Sequence, residues 1–188
     1  MKTVSLLVRS ALAVVFAFVM SSASCDLFDK VDDFTADVVL EHTFHVDETD
    51  DNPDGKAYNR VEVLDAAAVN GDFNKYKDKI KSITVTQVTY EIVNVSIPDI
   101  LFDGGTVGFS SANATSASQI ASLGVVNIKA AENQVNNLDY RQAAIDELSN
   151  LLKNDKKANL FLIGTLSKTP AAFDVVVTVK ASLTADAL

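Results

Sequence analysis

The chain has 188 residues, with 16 basic and 25 acidic side chains, and its formal net charge is −9. This acidic balance argues against a nucleic-acid partner, because a phosphate backbone is bound by clustered Lys and Arg. A single cysteine excludes a disulfide within the chain, and the length suits one domain with a core of its own.

The N-terminal segment has the composition of a secretory signal peptide. Its first ten residues, MKTVSLLVRS, contain Lys2 and Arg9 but no acid, and the next ten, ALAVVFAFVM, are all apolar. A basic stretch followed by an apolar one is typical of an export signal. Arg9 and Ser10 interrupt the apolar run, which is then shorter than the roughly 20 residues that a transmembrane helix needs. We therefore predict a removable signal peptide over residues 1–24.

The sequence SSASC, residues 21–25, places small residues directly before the only cysteine. It resembles the lipobox of bacterial lipoproteins. In that family the cysteine thiol receives a diacylglycerol, a dedicated peptidase cuts just before the cysteine, and the new amino terminus is acylated. The resemblance implies an exported protein that is held at a membrane of the cell envelope by a lipid on Cys25. The alternative is an ordinary signal peptide, since Ser22 and Ser24 also satisfy the small-x-small rule and would leave Cys25 as a free thiol.

Residues 25–34, CDLFDKVDDF, are predicted to form an acidic tether between the lipid and a single β-rich domain over residues 35–188. By the same resemblance, Asp26 has two interpretations. In some sorting systems an aspartate after the acylated cysteine retains a lipoprotein at the inner membrane, whereas other bacterial groups use acidic residues there for surface export. The outer membrane or the cell surface is favoured over the inner membrane, without a decision among them.

Alternating apolar residues predict the first strands. From Thr35 to Asp47 the apolar side chains occupy every second position, which is typical of a half-buried strand. Val61 and Val63 are predicted to begin a second strand that forms a hairpin with the first or lies near it. The stretch SITVTQVTYEIVNVS, residues 82–96, is dense in β-branched residues, but its apolar phase slips in the middle. A bulge near Thr86 and Gln87, or a strand covered on both faces, would account for the slip.

Two short amphipathic helices are predicted. The stretch NGDFNKYKDKIKS, residues 70–82, aligns Phe73, Tyr76 and Ile80 on one stripe, with Asn70 or Asp72 as the cap. The stretch NNLDYRQAAIDELSNLLKND, residues 136–155, begins with a capping-box-like pair three residues apart and continues with a buried stripe. The pair is Asp139 and Gln142, and the stripe consists of Ala144, Ile145, Leu148, Leu151 and Leu152.

Further strands complete the pattern. Short strands are predicted in TVGFSS after Gly104 and Gly105 and between Ser118 and Ala130, and the final segments ANLFLIGTLS and FDVVVTVKASLTADAL are predicted to pair as a hairpin around KTPAA. Six or seven strands without regular strand–helix alternation indicate a mainly β fold, an antiparallel β-sandwich with two short helices. The pattern is similar to immunoglobulin-like or fibronectin-like modules, by analogy only.

The loop DDNPDG contains the start of a calcium-binding pattern. Asp50, Asn52, Asp54 and Gly55 stand at positions 1, 3, 5 and 6 of the D-x-[DN]-x-[DN]-G loop, and the carbonyl of Lys56 would be the ligand at position 7. The pattern then fails, because position 12 is Val61 where a bidentate Glu is expected. A weak calcium site at Asp50, Asn52, Asp54 and Lys56 is one hypothesis, and a solvated turn built from ordinary turn residues is the other.

The only histidines, His42 and His45, are three residues apart on a predicted strand, so their side chains should point to opposite faces. They are not expected to bind one metal ion. His42 falls in the apolar phase of the strand and is expected to be a hydrogen-bonded core residue.

No catalytic motif stands out, and the sequence indicates a non-enzymatic function. The first hypothesis is an envelope lipoprotein that binds a protein or glycan of the cell envelope, through residues such as Tyr58 and Phe102 in predicted loops. The second is a carrier of a small apolar ligand held inside the β-domain. The third is a hydrolase with unidentified carboxylates, which would show raised pKa values in a cleft. No cofactor is expected apart from the weak calcium ion.

Overall fold

The computed structural model describes residues 33–96 and 99–186. The predicted signal peptide, Cys25 and the tether up to residue 32 lie outside these ranges. The chain divides into a body of residues 35–185 and a second unit of residues 1–34 and 186–188. Of the second unit, only residues 33, 34 and 186 are described.

The described residues form eight strands and three helices. The strands are β1 (Asp33–Asn52), β2 (Lys56–Asp65), β3 (Ile80–Val93), β4 (Leu101–Ser110), β5 (Gln119–Asn127), β6 (Val135–Asn137), β7 (Lys157–Leu166) and β8 (Thr169–Asp186). The helices are α1 (Ala66–Val69), α2 (Gly71–Tyr76) and α3 (Gln142–Asn154). With 13 residues, α3 is the longest described helix, and no helix in the described ranges has the length and apolarity to span a bilayer.

The strands form two four-stranded antiparallel sheets. Sheet A has the order β1-β8-β3-β6, and sheet B has the order β2-β7-β4-β5. The recorded strand pairs, β2–β7, β7–β4, β4–β5, β8–β3 and β3–β6, are all antiparallel. The sequence-based prediction of a mainly β, antiparallel sandwich is therefore confirmed.

One apolar core joins the inner faces of the two sheets. In β1 the alternating residues Val38, Leu40, Phe44 and Val46 are buried, as the period of two predicted. Sheet B contributes buried side chains from its inner strands, and α1–α2 close one end of the core with Ala66 and Phe73. A core of large, almost fully buried side chains is the main source of stability in a body without disulfides. These side chains include Phe44, Phe73, Phe102, Phe109, Phe161, Leu40, Leu64, Ile92, Ile100, Ile128, Leu148 and Leu152.

The bulge predicted in the third strand is present. The register of β3 against β8 shifts between Val85 and Gln87, so that Val85 pairs with Ala181 and Gln87 pairs with Lys180. The shift keeps Val85 and Val88 both buried although they are an odd number of residues apart, because a bulge adds one residue and reverses the side-chain phase.

The bulge is joined to α3 by a buried hydrogen bond. The Val85 N–H donates to the Ser149 hydroxyl at 3.0 Å, and this hydroxyl donates to the Ile145 carbonyl at 2.8 Å. A helix side chain therefore satisfies a backbone donor at the irregular part of the strand, as a buried polar group requires.

The predicted hairpin of the last two strands is wrong. β7 lies between β2 and β4 in sheet B, whereas β8 lies between β1 and β3 in sheet A. The connection at Ser167 crosses from one sheet to the other and is held by β4: the Ser167 N–H donates to the Leu101 carbonyl at 2.9 Å, and the Leu101 N–H donates to the Ser167 hydroxyl at 3.0 Å. The same holds for β1 and β2, which are consecutive in the chain but belong to different sheets.

The helix boundaries differ from their predictions at both helices. The Asn70 side chain caps α2, with its Oδ1 accepting from the Phe73 N–H at 2.8 Å, but the helix ends at Tyr76 and Ile80 already belongs to β3. The predicted capping box of α3 is also wrong, because Arg141 is the N-cap and makes no side-chain cap hydrogen bond. Residues before it follow the sheet instead: the Leu138 N–H donates to the Val88 carbonyl at 2.9 Å.

A substitution of Gly164 tests how tightly the core is packed. A Cβ placed on it would lie 2.4 Å from Cζ of the buried Phe102 ring. We expect Gly164→Ala to destabilise the fold by about 1–3 kcal/mol through overpacking, measured by urea unfolding. The matched control is Gly71→Ala, because no atom lies within 4 Å of its added Cβ, and its effect should stay within about 0.5 kcal/mol or stabilise helix α2 slightly. Equal stabilities of the two variants would contradict this account of the core.

Candidate functional site

Two grooves flank the segment between β6 and α3, and they share the residues Asp139 and Tyr140. The first groove has a volume of about 480 Å³ and lies beside the bulge of β3. The second has a volume of about 300 Å³ and lies between this segment and the start of β5. The first is lined by Thr86, Gln87, Val88, Asn137, Leu138, Asp139, Tyr140 and Ile145, and the second by Ser118, Gln119, Ile120, Asp139, Tyr140, Arg141 and Ala144. We call this pair the double groove.

The β3 bulge forms one wall of the first groove. Gln87, the residue after the register shift, donates from Nε2 to Asn137 Oδ1 at 2.6 Å, and the Thr86 hydroxyl donates to the Lys180 carbonyl at 3.2 Å. At the bulge, Gln87 is therefore directed towards the short edge strand β6, whereas Thr86 is directed towards β8 on the other side of β3. Amides and hydroxyls at a groove of this kind can donate and accept hydrogen bonds to a polar ligand.

Tyr140 divides the two grooves and is a fixed structural element. Its hydroxyl donates to the Val107 carbonyl at 2.7 Å, and its ring lies against Phe109 with a centroid distance of 5.3 Å. Burial raises the pKa of the Tyr140 hydroxyl well above its ordinary value, because the charged phenolate would be poorly solvated there. The ring therefore separates the grooves as a neutral hydrogen-bond donor.

Glu147 fixes the second wall of the double groove. Its carboxylate accepts hydrogen bonds from the Ser118 hydroxyl at 2.7 Å and from Gln119 Nε2 at 2.8 Å. These bonds join α3 to the start of β5 and leave Asp139 and Arg141 exposed at the opening. The double groove thus offers a carboxylate, a guanidinium and several neutral polar groups to solvent, with the exposed Ile120 beside them.

The turn after β1 is held by its own hydrogen bonds. Asn52 Oδ1 accepts from the Asp54 N–H at 3.0 Å, and Asn52 Nδ2 donates to the Gly55 carbonyl at 2.8 Å. Gly55 has a φ of 85°, and a Cβ on it would lie 2.4 Å from the Leu166 carbonyl oxygen. Glycine is required there both by its backbone conformation and by the close approach of β7.

The Lys56 ammonium donates hydrogen bonds to carboxylates near the turn, one of which, Asp50, is a ligand in the calcium hypothesis. The ammonium donates to Glu48 at 2.6 Å and to Asp50 at 3.1 Å, and these hydrogen bonds, the one to Glu48 first, raise the pKa of Lys56. Within residues 33–96 and 99–186, no group of three or more His, Cys, Asp or Glu is placed to hold a metal ion. Calcium at Asp50, Asn52, Asp54 and the Lys56 carbonyl stays a prediction.

The histidines lie apart, as their spacing predicts. His42 Nε2 contacts Glu62 Oε2 at 2.8 Å and is largely buried, whereas His45 Nδ1 contacts Asp174 Oδ1 at 2.7 Å and is exposed. The carboxylate that contacts His42 therefore belongs to sheet B, whereas the one that contacts His45 belongs to sheet A.

Two residues expected in binding loops are instead in the core. Tyr58 lies on β2 and Phe102 on β4, with exposed fractions of 3% and 1%. Their rings contact each other edge to face at 6.3 Å. That expectation is wrong because both aromatic residues point into the sandwich, and a partner cannot reach them.

Sequence reasoning missed the double groove, although it identified two of its parts. The slip of apolar phase in β3 predicted the bulge at Thr86 and Gln87. The polar residues around Asp139 predict by themselves only a helix cap. An aromatic residue between polar neighbours just before a helix, here Tyr140, was the available signal.

Comparisons with known proteins give no family. No protein-family model matches this sequence, and no curated protein matches it significantly. Among solved structures, the chain is similar to one of Desmodium yellow mottle tymovirus, with 8% identity over 81% of this chain and 84% of that chain and a TM-score of 0.40. A structure of turnip yellow mosaic virus at 100 K has 10% identity over 82% of this chain and 95% of that chain, with a TM-score of 0.36. Scores this low give no basis for assigning a function.

Tyr140 makes stability depend on alkaline pH. Because folding raises its pKa above the ordinary 10.0, its contribution is complete below about pH 10 and is lost as the pH rises further, by up to about 1.4 kcal/mol per pH unit. We expect Tyr140→Phe to cost about 1 kcal/mol at neutral pH, from the lost hydrogen bond, and to give a shallower decline of unfolding free energy above pH 10. Denaturant unfolding at a series of pH values measures both. A variant that declines as steeply as the wild-type protein would contradict a partly buried Tyr140 hydroxyl that stays protonated in the folded state.

Thermal unfolding with and without calcium tests the calcium hypothesis. With a dissociation constant of about 10⁻⁴ to 10⁻³ M, as in extracellular modules, about 10 mM calcium should raise the free energy of unfolding by roughly 1.4–2.7 kcal/mol. Asp54→Asn should abolish the rise, and Asp99→Asn, in another loop, should preserve it. A melting temperature that calcium leaves unchanged would rule out the ion and leave the turn to its own hydrogen bonds.

Proposed function

We propose that the chain is a cell-envelope lipoprotein, anchored to a bacterial membrane by a lipid on Cys25, whose β-sandwich is a non-enzymatic binding module. The observation that carries the proposal is the coincidence of a basic n-region, an apolar h-region and small residues directly before the only cysteine. Each feature alone is common, but together they are typical of an export signal with a lipid-modified end.

The position of the body relative to Cys25 in the sequence fits an anchor. The buried residues of the described core run from Val38 to Ala185, and nine residues lie between Cys25 and Thr35. Fully extended, such a tether reaches at most about 36 Å. A body that starts this soon after the acylation site is held close to the bilayer surface but keeps its own core.

The double groove supports the binding of a polar partner. Its lining combines the amides of Gln87 and Asn137 with the charges of Asp139 and Arg141. Surfaces with these groups suit a glycan or a polar segment of an envelope protein, both of which offer hydroxyl or amide groups. The proposed partner class is therefore an envelope protein or glycan.

A carrier of a small apolar ligand is supported less well. Both grooves are open and carry polar linings, whereas apolar ligands are bound in concave sites with mostly hydrophobic linings. The inner faces of the sheets are occupied by packed side chains.

A hydrolase also finds less support. A catalytic carboxylic acid needs a raised pKa. The carboxyl pKa values that shift among the described residues, those of Asp65 and Glu132, are lowered, mainly by hydrogen bonds from Lys157 and Lys129. The Glu147 carboxylate beside the double groove already accepts hydrogen bonds from Ser118 and Gln119.

Mass spectrometry of the detergent-extracted protein tests the anchor. We expect a chain that begins at Cys25 and carries a diacylglycerol on its sulfur. Cys25→Ala should abolish the lipid mass, and Ser24→Ala, which keeps a small residue before the cysteine, should retain it. A free Cys25 thiol, or a chain that keeps residues 1–24 in the wild-type protein, would contradict the anchor.

Photo-crosslinking in the same envelope preparation tests the binding surface. A benzoylphenylalanine in place of Ile120, beside the double groove, should form an adduct with a protein or glycan. The same group in place of Val61, an exposed residue on the opposite edge strand of sheet B, is the matched control. Adducts of equal yield at both positions, or an apolar molecule released by organic extraction, would favour another function.

A further inference from the structure

The outer edge of β2 is long and regular. β2 lies at one side of sheet B, and its ten residues pair with β7 without a register shift. The other edge strands of the described body are less suited to pairing: β5 has two register shifts against β4, and β6 has three residues. On β1, the carbonyls of Val39 and His45 accept hydrogen bonds from Asn70 and Tyr58. A long, regular edge with unpaired backbone groups is a template for another strand.

The hydrogen bond just after β2 shows which backbone groups point to this edge. The Ala66 N–H donates to the Lys156 carbonyl at 3.0 Å, and this pair continues the register of β2 with β7. In an antiparallel ladder, opposed pairs that exchange hydrogen bonds alternate with pairs that do not. The even-numbered residues of β2 therefore bond to β7, and the odd-numbered ones direct their N–H and C=O groups to the free edge. They include Ala57, Asn59, Val61 and Val63.

The side chains beside this edge are open to solvent. Val61 and Val63 lie on the outer face of sheet B, with exposed fractions of 45% and 49%. Arg60 is also exposed, although Tyr58 and Leu64 on the same face of the strand are buried. An arginine that is exposed between core residues shows that solvent reaches the edge of β2 at this point.

The segment Arg60-Val61-Glu62 is complementary to itself in an antiparallel arrangement. When the Val61 residues of two copies stand opposite each other as a hydrogen-bonded pair, Arg60 of each copy stands opposite Glu62 of the other. These flanking pairs are the close ones of the ladder, with Cα atoms about 4.5 Å apart, and opposite charges at such positions stabilise strand pairing. Glu62 Oε2 contacts His42 Nε2 at 2.8 Å, and a carboxylate has a second oxygen that can accept from the arginine.

We propose that two copies of the chain associate through β2, antiparallel and centred on Val61, and so join their B sheets into one continuous sheet. Val61 would then pair with Val61, and Asn59 would pair with Val63 in both directions. Each of these opposed pairs exchanges two backbone hydrogen bonds, and the exposed valines are partly removed from water. The contact is isologous, as in the commonest homodimers. The inference goes beyond the proposed function and does not depend on the lipid anchor.

The antiparallel direction also keeps acidic regions apart. The chain has a formal net charge of −9, and Asp50, Asp51 and Asp54 lie directly before β2. In the antiparallel pair the two acidic turns lie at opposite ends of the paired strands, roughly 30 Å or more apart at about 3.3 Å per residue. This separation is several times the Debye length of about 8 Å at physiological salt. A parallel pair would place the two turns side by side.

Disulfide formation between copies tests the register. All variants also contain Cys25→Ala, so that an introduced cysteine is the only thiol. Mild oxidation of the purified full chain with Val61→Cys should give a linked dimer, because opposed hydrogen-bonded residues have Cα atoms about 5.5 Å apart, a distance that suits a disulfide. Val63→Cys is the matched control, since it is similarly exposed on the same face. Its two copies would lie about 13 Å apart along the strands and should give about tenfold less dimer.

A mixture of two variants tests the same register at a second position. Chains with Asn59→Cys and chains with Val63→Cys should form disulfides with each other, because these positions are opposed, and much less with themselves. Equal yields from Val61→Cys alone and Val63→Cys alone would indicate random collision. That result, or the absence of a dimer from Val61→Cys, would overturn the proposal.

Charge variants of the Val61→Cys chain test the self-complementarity. Arg60→Glu should lower the dimer yield at least threefold, because it places carboxylates opposite each other. Adding Glu62→Arg to it should restore the yield, since the two charges are then exchanged. Lys180→Glu, on β8 of sheet A, makes the same change of net charge and should leave the yield unchanged. Urea unfolding identifies variants that keep the fold, and a folded double variant that fails to regain the dimer would contradict the Arg60–Glu62 pairing.

The dimer and the proposed function are tested separately. Benzoylphenylalanine in place of Val61 is expected to give an adduct of two copies of this chain, which mass spectrometry distinguishes from an adduct with an envelope component. An envelope adduct at Ile120 tests the binding module, whereas the Val61→Cys disulfide tests the dimer. Either can fail while the other stands.

Discussion

The inner face of β8 is the constraint on which the rest of the body depends. This strand lies between β1 and β3, and every second side chain from Thr169 to Ala185 is buried. Burial of each valine or leucine on this face contributes about 1.5–3 kcal/mol relative to exposure. Sheet B must cover this apolar strip. The chain therefore crosses between the sheets before β8 instead of folding back as a hairpin.

The irregular part of sheet A is where binding groups are found. The bulge of β3 adds one residue to the strand, directs Gln87 towards the edge strand β6 and leaves a backbone donor that Ser149 of α3 satisfies. The same helix is joined to sheet B through Glu147. The groups that stabilise the bulge and the helix thus also define the walls of the double groove, which is a common relation between bulges and functional sites.

The separation of charge follows from the antiparallel topology. Acidic residues are concentrated early in the mature chain, and strand pairing places the first turn, with Asp50 and Asp54, at one end. The lysines come from two later segments, 75–81 and 153–157, which neither repeat one another nor lie close in sequence. They meet because the start of β3, the end of α3 and the start of β7 share the opposite end. At that end the lysines stand among aspartates such as Asp65, Asp72, Asp78 and Asp155, so the acidic excess of the folded body is concentrated at the first turn.

The sequence by itself determined the strands with strong alternation, the bulge near Gln87, the separation of His42 from His45 and the mainly β class. These features depend on side-chain period and on local backbone preference, which a short window of sequence contains. Only the tertiary structure decided the sheet in which each strand lies, the burial of Tyr58 and Phe102, the early end of α2 and the start of α3 at Gln142. The sheet in which a strand lies depends on partners distant in sequence. β7 pairs with β2 and β4, and β8 lies between β1 and β3, so that β7 and β8 do not pair with each other. The helix limits depend on competing hydrogen bonds to the sheet, such as that of Leu138 to Val88. No local pattern contains the outcome of such long-range competition.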